Sequence, residues 1–254
     1  MSLSSKMKIG WVAFLGSLIS TSAFCQPKPE ETKISFTFKA IAFERIPGLE
    51  EIFYGEDDKD DKDDKEAKGG EGDEKESLRL PTRNFSIQAE YEGPNPVTFY
   101  GRKANDEGEL EYAPVASVLM NEEWKKTILV FLPTSKKVAL TGRRFEVLPV
   151  DAELARFRGG GRHFVNLSET DVAASIGDQK LLVKASASAT FTPRVQGDVT
   201  TRVPVQFHYR GGDAWRLLSS TRWGMDPRLR TLVFIYEDPR RKRLALRGIT
   251  DRVR

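Results

Sequence analysis

From Ile34 onward the apolar residues recur with a period of two. Ile34, Phe36, Phe38, Ala40 and Ala42 alternate with Ser35, Thr37 and Lys39, the pattern of a strand with one face buried. Phe85, Ile87, Ala89 and Tyr91 alternate in the same way with Ser86, Gln88 and Glu90, as do Val203, Val205, Phe207 and Tyr209 with Gln206, His208 and Arg210. Two continuous runs, Thr127–Leu132 and Thr231–Tyr236, are rich in β-branched and aromatic residues and predict central strands covered on both faces. Turn signals separate these segments at 93–96, 105–108, 211–213 and 238–239. Pro204 fits only an edge strand or the first residues of a strand. Helical signals are weak: Asp151–Phe157 predicts one or two turns, stopped by Gly159-Gly160-Gly161.

The two halves resemble each other. An offset of 104 places Gly108–Leu132 over Gly212–Tyr236 without a gap, Thr127 over Thr231, and apolar residues over apolar residues after each threonine. Phe43–Gly55 also echoes Phe164–Gly177, and Val138-Ala139-Leu140 answers Leu244-Ala245-Leu246. About seven short strands per half predict an all-β chain of two tandem antiparallel sandwiches. The expected organisation is a leader at 1–25, a first sandwich at 26–150, a glycine-rich linker at 151–161 and a basic second sandwich at 162–254. Each half resembles an immunoglobulin-like domain in architecture only. The hallmark cysteine pair is absent, so no family function is implied.

The leader has three parts. Lys6 and Lys8 precede the apolar run Ile9–Ile19, which is too short for a stable membrane span, and Ala23-Phe24-Cys25 sets small residues at −3 and −1 of a cut after Cys25. A periplasmic or extracellular location follows as the expectation. The alternative is a lipoprotein anchored at Cys25, against which Ser22 and bulky Phe24 speak. Cys25 is the one cysteine of the chain, so a chain cut after it carries no disulfide, cysteine nucleophile or thiolate metal site.

Charge divides the halves. Residues 1–150 hold 21 Lys+Arg against 26 Asp+Glu, or −5, and residues 151–254 hold 19 against 11, or +8, which together give the +3 of the whole chain. Glu56–Glu76 carries 12 acids, 5 lysines and no aromatic residue. Such a segment buries too little apolar surface to order itself and reads as a disordered acidic loop inserted in the first sandwich. Its Asp57–Asp64 stretch interleaves lysines where calcium ligands would have to converge, which leaves a solvated loop as the favoured reading.

In the basic half, Arg240-Arg241-Lys242-Arg243 falls at a predicted hairpin tip, with Arg216, Arg222, Arg228, Arg230, Arg247, Arg252 and Arg254 near in sequence. Guanidinium groups on a rigid sheet suit anionic partners: an anionic polysaccharide, lipid headgroups or an acidic protein, with no nucleic acid expected of an exported chain. The plain alternative is a sheet edge kept from aggregating by its charges. A further possibility docks the acidic loop on the basic half of the same or a neighbouring molecule.

No catalytic residue, cofactor or metal is assigned. Gly-x-Ser-x-Gly, Ser-x-x-Lys and phosphate-binding glycine loops are missing from the sequence, and Arg158–Arg162 precedes a β-type run rather than a helix. His163 and His208 read as surface histidines without metal-ligand spacing. Trp124, Trp215 and Trp223 could stack on sugar rings from an exposed sheet face, but Trp215, beside Leu217 and Leu218, reads as a core residue. The sum is an exported, non-catalytic binding or scaffolding protein of the bacterial cell envelope that engages an anionic partner through its second half. A hydrolase-type enzyme with a loop-assembled acidic site and a strand-pairing subunit of an envelope assembly are the alternatives.

Overall fold

The structure, a computed structural model, describes residues 32–55, 75–104, 108, 110–134, 139, 142–194 and 200–253. The expected leader with Cys25 and the Asp57–Asp64 stretch therefore lie outside the described residues. So do Val138 and Leu140 of the proposed repeat.

Sixteen strands form among the described residues. They are β1 (Lys33–Ala42), β2 (Glu51–Tyr54), β3 (Glu76–Arg79), β4 (Ala89–Pro94), β5 (Val97–Ala104), β6 (Leu110–Val118), β7 (Lys126–Pro133) and β8 (Phe145–Asp151) in the first half. The second half holds β9 (Arg162–Asn166), β10 (Val172–Ile176), β11 (Gln179–Val183), β12 (Ser188–Phe191), β13 (Thr201–Gly211), β14 (Ala214–Met225), β15 (Leu229–Asp238) and β16 (Arg243–Arg252). Glu76, the last residue of the predicted acidic loop, opens β3.

Four sheets result: sheet A in the order β4-β1-β7-β8, sheet B in β3-β2-β5-β6, sheet C in β12-β9-β15-β16 and sheet D in β11-β10-β13-β14. Adding eight to each strand of A and B reproduces C and D. The duplication extends to strand direction, because β1–β7 and β9–β15 are both parallel pairs. The 104-residue offset holds there: Phe38 pairs with Thr127 and Arg162 with Thr231. The N-terminal echo is shifted. Ala40 faces Leu129 as Phe164 faces Val233, so Ala40 rather than Phe43 is the counterpart of Phe164.

Alternation sorts the side chains into three cores. Phe36, Phe38 and Ala40 of β1 with Leu129 and Phe131 of β7 meet Ile52, Val97, Phe99 and Val115 between sheets A and B. Phe164, Val233 and Ile235 meet Val172, Val205 and Phe207 between C and D. The third core lies between the outer faces of A and C, where Ile41, Ile128, Val130 and Val150 pack against Val165, Leu232, Phe234 and Ile249. The continuous runs in β7 and β15 are thus apolar on both faces because each strand supplies two cores. The layers stack in the order B, A, C, D.

Two predicted elements change. The 85–91 alternation forms a strand only from Ala89, and Ile87 is exposed. Ser86 explains this: its N–H donates to Ala40 O while its Oγ accepts from Ala40 N, so a side chain completes what would have been a ladder. Pro204 sits just beyond the last paired residue of β13 with β10, where its carbonyl still accepts from Gly177 N–H at 2.9 Å and its missing N–H breaks no ladder pair. The 151–157 segment makes a single turn, closed by Phe157 N–H to Glu153 O and opened by Asp151 Oδ1 accepting from Glu153 N. Gly159, read as part of a linker, is packed instead. A Cβ there would collide with the backbone carbonyl of Pro227.

Candidate functional site

β15 and β16 pair in register from Leu229↔Arg252 to Asp238↔Arg243, so residues 239–242 form the tip of a hairpin. Asp238 orders that tip. Its Oδ1 accepts from the N–H groups of Arg240 and Arg241, and its carbonyl accepts from Lys242 N–H at 2.8 Å. The backbone bond from Arg240 is the largest cause holding the Asp238 carboxyl below its ordinary pKa. Lys242 completes the turn at φ 51°, in the left-handed region. Arg240, Arg241, Lys242 and Arg243 are all exposed, so four successive cations project from an ordered turn.

The tip stands at the mouth of an open groove of about 840 Å³. The groove runs between β14 and β16, the edge strands of sheets D and C on one side of the second half. Tyr209, Leu218, Leu244 and Leu246 give it an apolar floor continuous with the core. Arg210, Arg241, Lys242 and Arg243 supply its cations, and Glu169, Glu237 and Asp238 its acids. In the first half the matching seam is closed: Arg144 N–H, just before β8, donates to Val115 O of β6 at 2.8 Å. Among the described residues no backbone hydrogen bond joins β14 to β16.

The other basic residues divide by environment. Arg230 and Arg247 are not surface cations. Arg230 is buried, donating from Nε to Asp251 Oδ2 at 2.9 Å and from NH1 to the carbonyls of Ala152 (2.6 Å) and Phe157 (3.1 Å). Lys39 of the first half reaches the other oxygen of Asp251 at 2.6 Å. Arg247 lies over the rings of Phe43 and Phe234 and donates to Phe43 O, and burial pulls its pKa down. Arg228 is exposed but paired with Asp226, whose carboxyl this bond depresses to about 2.

His163 is buried, against expectation. Val165, two residues on, shares its face and enters the core between A and C, so the ring is drawn inward beside Phe157. Nδ1 lies 2.8 Å from Thr190 Oγ1, Nε2 has no hydrogen-bond partner among the described residues, and desolvation lowers the pKa to about 4. His208 stays on the outward face, as expected from its alternation.

Trp215 is also misplaced by the sequence reading. It is 45% exposed and Leu217 58%, while Leu218 packs on the core. A register shift at Phe207/His208 passes over Leu218 and turns Leu217 outward opposite His208. Trp223 points inward, stacked on Phe164 at 6.3 Å with the Arg162 guanidinium 5.5 Å from its ring.

The chain matches no protein-family model, and no curated protein matches it.

Proposed function

We propose that this is an exported, non-catalytic binding or scaffolding protein of the cell envelope, and that its second half engages an anionic partner. The observation that carries the reading is the turn 239–242. Asp238 Oδ1 binds the turn's backbone and Oδ2 lies 3.9 Å from Arg241 Nε, so the turn is ordered and Arg240, Lys242 and Arg243 are presented with Arg241 at a fixed place beside an open groove. A charge cluster serving only to keep an edge soluble needs no ordered tip. In this reading the halves are tandem immunoglobulin-like sandwiches. Each has eight strands, and its penultimate strand lies parallel to its first, a departure from the usual seven-stranded antiparallel pattern. The first half serves as the support.

The test is binding of labelled polyglutamate, followed by fluorescence anisotropy at low salt, to wild type and to the variant carrying Arg240→Ser, Arg241→Ser, Lys242→Ser and Arg243→Ser. About tenfold weaker binding is expected from removing four clustered charges. Equal affinity removes the hairpin from the reading.

The open seam favours a second reading, a subunit that pairs through a strand edge. It predicts a dimer or larger species in solution by sedimentation, whereas the binding reading predicts a monomer.

A further inference from the structure

Sheet D is the outermost layer on the second-half side, and the pairing registers define its outward face. Val205 and Phe207 point into the core, so Arg202, Pro204, Gln206, His208 and Arg210 of β13 point out. Their cross-strand neighbours on β14 share that face: Arg222 opposite Pro204, Ser220 opposite Gln206, Leu217 opposite His208 and Trp215 opposite Arg210. On the other side, Ala173 and Leu182 continue the row of His208, and Ser175 and Lys180 continue the row of Gln206.

Two properties of this face coincide. Leu182 (47% exposed), Trp215 and Leu217, three of the six large apolar side chains most exposed among the described residues, lie on it in adjoining rows. Around them stand Lys180, Arg202, Arg210 and Arg222, and no paired position of the face holds an acid. The side chains of Lys180, Arg202 and Arg222 make no hydrogen bond or ion pair among the described residues. The nearest acid, Asp171, stands just before β10 across from Arg210, whose N–H donates to its carbonyl, and its Oδ1 is taken by Ala185 N–H at 2.8 Å. Asp178 and Asp213 sit in turns at the ends of the sheet, Asp178 3.8 Å from Arg194. At strand spacing, the row from Leu182 to Leu217 covers about 14 Å and Arg202 to Arg210 about 27 Å.

The outward face of sheet B serves as an internal control. There Phe53 and Tyr100 are buried, with Arg102 4.3 Å over the ring of Phe53 and Lys75 4.2 Å over that of Tyr100. The duplicated face in the second half leaves its aromatic ring open.

We propose that the outward face of sheet D docks on an anionic lipid bilayer, with Trp215, Leu217 and Leu182 entering the headgroup layer and Lys180, Arg202, Arg210 and Arg222 meeting lipid phosphates. The apolar row decides for a bilayer over a soluble polymer: cations alone would hold a polyanion, and two half-exposed leucines add nothing to that. A bilayer interface takes up both kinds of side chain, tryptophan in particular. No helix among the described residues is long and apolar enough to cross a membrane, so contact by a surface is the mode on offer. The inference rests on the anion-binding reading of the second half and names its partner.

The test is co-sedimentation with vesicles of phosphatidylcholine, with and without about one third phosphatidylglycerol, run beside the polyglutamate titration. Wild type should partition at least about tenfold more strongly onto the anionic vesicles. The Trp215→Ser/Leu217→Ser variant should lose that preference by about tenfold and keep its polyglutamate affinity, since both side chains stand outside the core. Arg202→Ser/Arg222→Ser, which leaves every apolar contact intact, should weaken vesicle binding comparably, and near-ultraviolet circular dichroism checks that each variant is folded. Polyglutamate binding without vesicle binding overturns the bilayer proposal and leaves the proposed function standing. Vesicle binding unchanged in both folded variants overturns it as well. Binding to neither probe sinks both.

Discussion

Asp251→Ala removes a carboxylate that a cation from each half shares. In the wild type Arg230 and Asp251 are cross-strand neighbours on β15 and β16, with side chains 9% and 5% exposed, and Lys39 arrives from β1. Breaking a buried pair by deleting one member costs about 3–5 kcal/mol, because the surviving charge keeps its desolvation and loses its partner. Two features place this case at the lower end, near 3 kcal/mol. Arg230 retains the carbonyls of Ala152 and Phe157, and Lys39, 27% exposed, can turn to water. For a chain of this size each kcal/mol moves the midpoint by about 2–4 °C, so Tm should fall by about 6–12 °C. Urea unfolding followed by far-ultraviolet circular dichroism measures the loss directly. The double variant Arg230→Met/Asp251→Leu should recover only part of it, since it removes both buried charges together but takes the donor from the carbonyls of Ala152 and Phe157. A single variant within about 1 kcal/mol of wild type would refute the reasoning, because a loss that small fits an exposed pair rather than a buried one.

His163 makes stability depend on pH. Its folded pKa of about 4 lies below the ordinary 6.5, so the unfolded chain binds the extra proton between those values. Stability is full above pH 6.5 and falls as the pH drops toward 4, with a loss of about 2 kcal/mol by pH 5 that urea midpoints at pH 7 and 5 should show and His163→Gln should reduce. Gly159→Ala should lower stability by about 1–3 kcal/mol, since the new Cβ displaces the Pro227 carbonyl. A thermal melt unchanged by that substitution would mean the segment behaves as a free linker after all.

Much of the fold was legible because alternation is a local signal. Ile34–Ala42 and Val203–Tyr209 read directly as strands with one core face, and the doubly covered runs Thr127–Leu132 and Thr231–Tyr236 became the central strands β7 and β15. What escaped depends on non-local geometry. Ser86 is polar in a strand-like run, and only the approach of Ala40 turns it into a side-chain bridge. Leu217 and Trp215 look like core residues until the register shift beside Phe207 sends Leu217 outward. Arg230 and Arg247 cannot be told from Arg240 and Arg241 by residue type. Burial of the first two follows from the stacking of sheet A on sheet C, which no single strand announces. The hairpin tip at Arg240–Arg243 was legible from Asp238-Pro239 and the flanking β runs. The outward face of sheet D, with its exposed apolar row among cations, was not, because its members come from four strands brought into register.

The titration of wild-type protein with polyglutamate at about 50 mM and about 200 mM salt bears most directly on the second half as an anion-binding surface. Binding at the lower salt that weakens at least about tenfold at the higher is the expected result, as exposed Lys and Arg give up bound counterions' worth of attraction when screened. Affinity unchanged between the two salts, or no binding at the lower one, would contradict it.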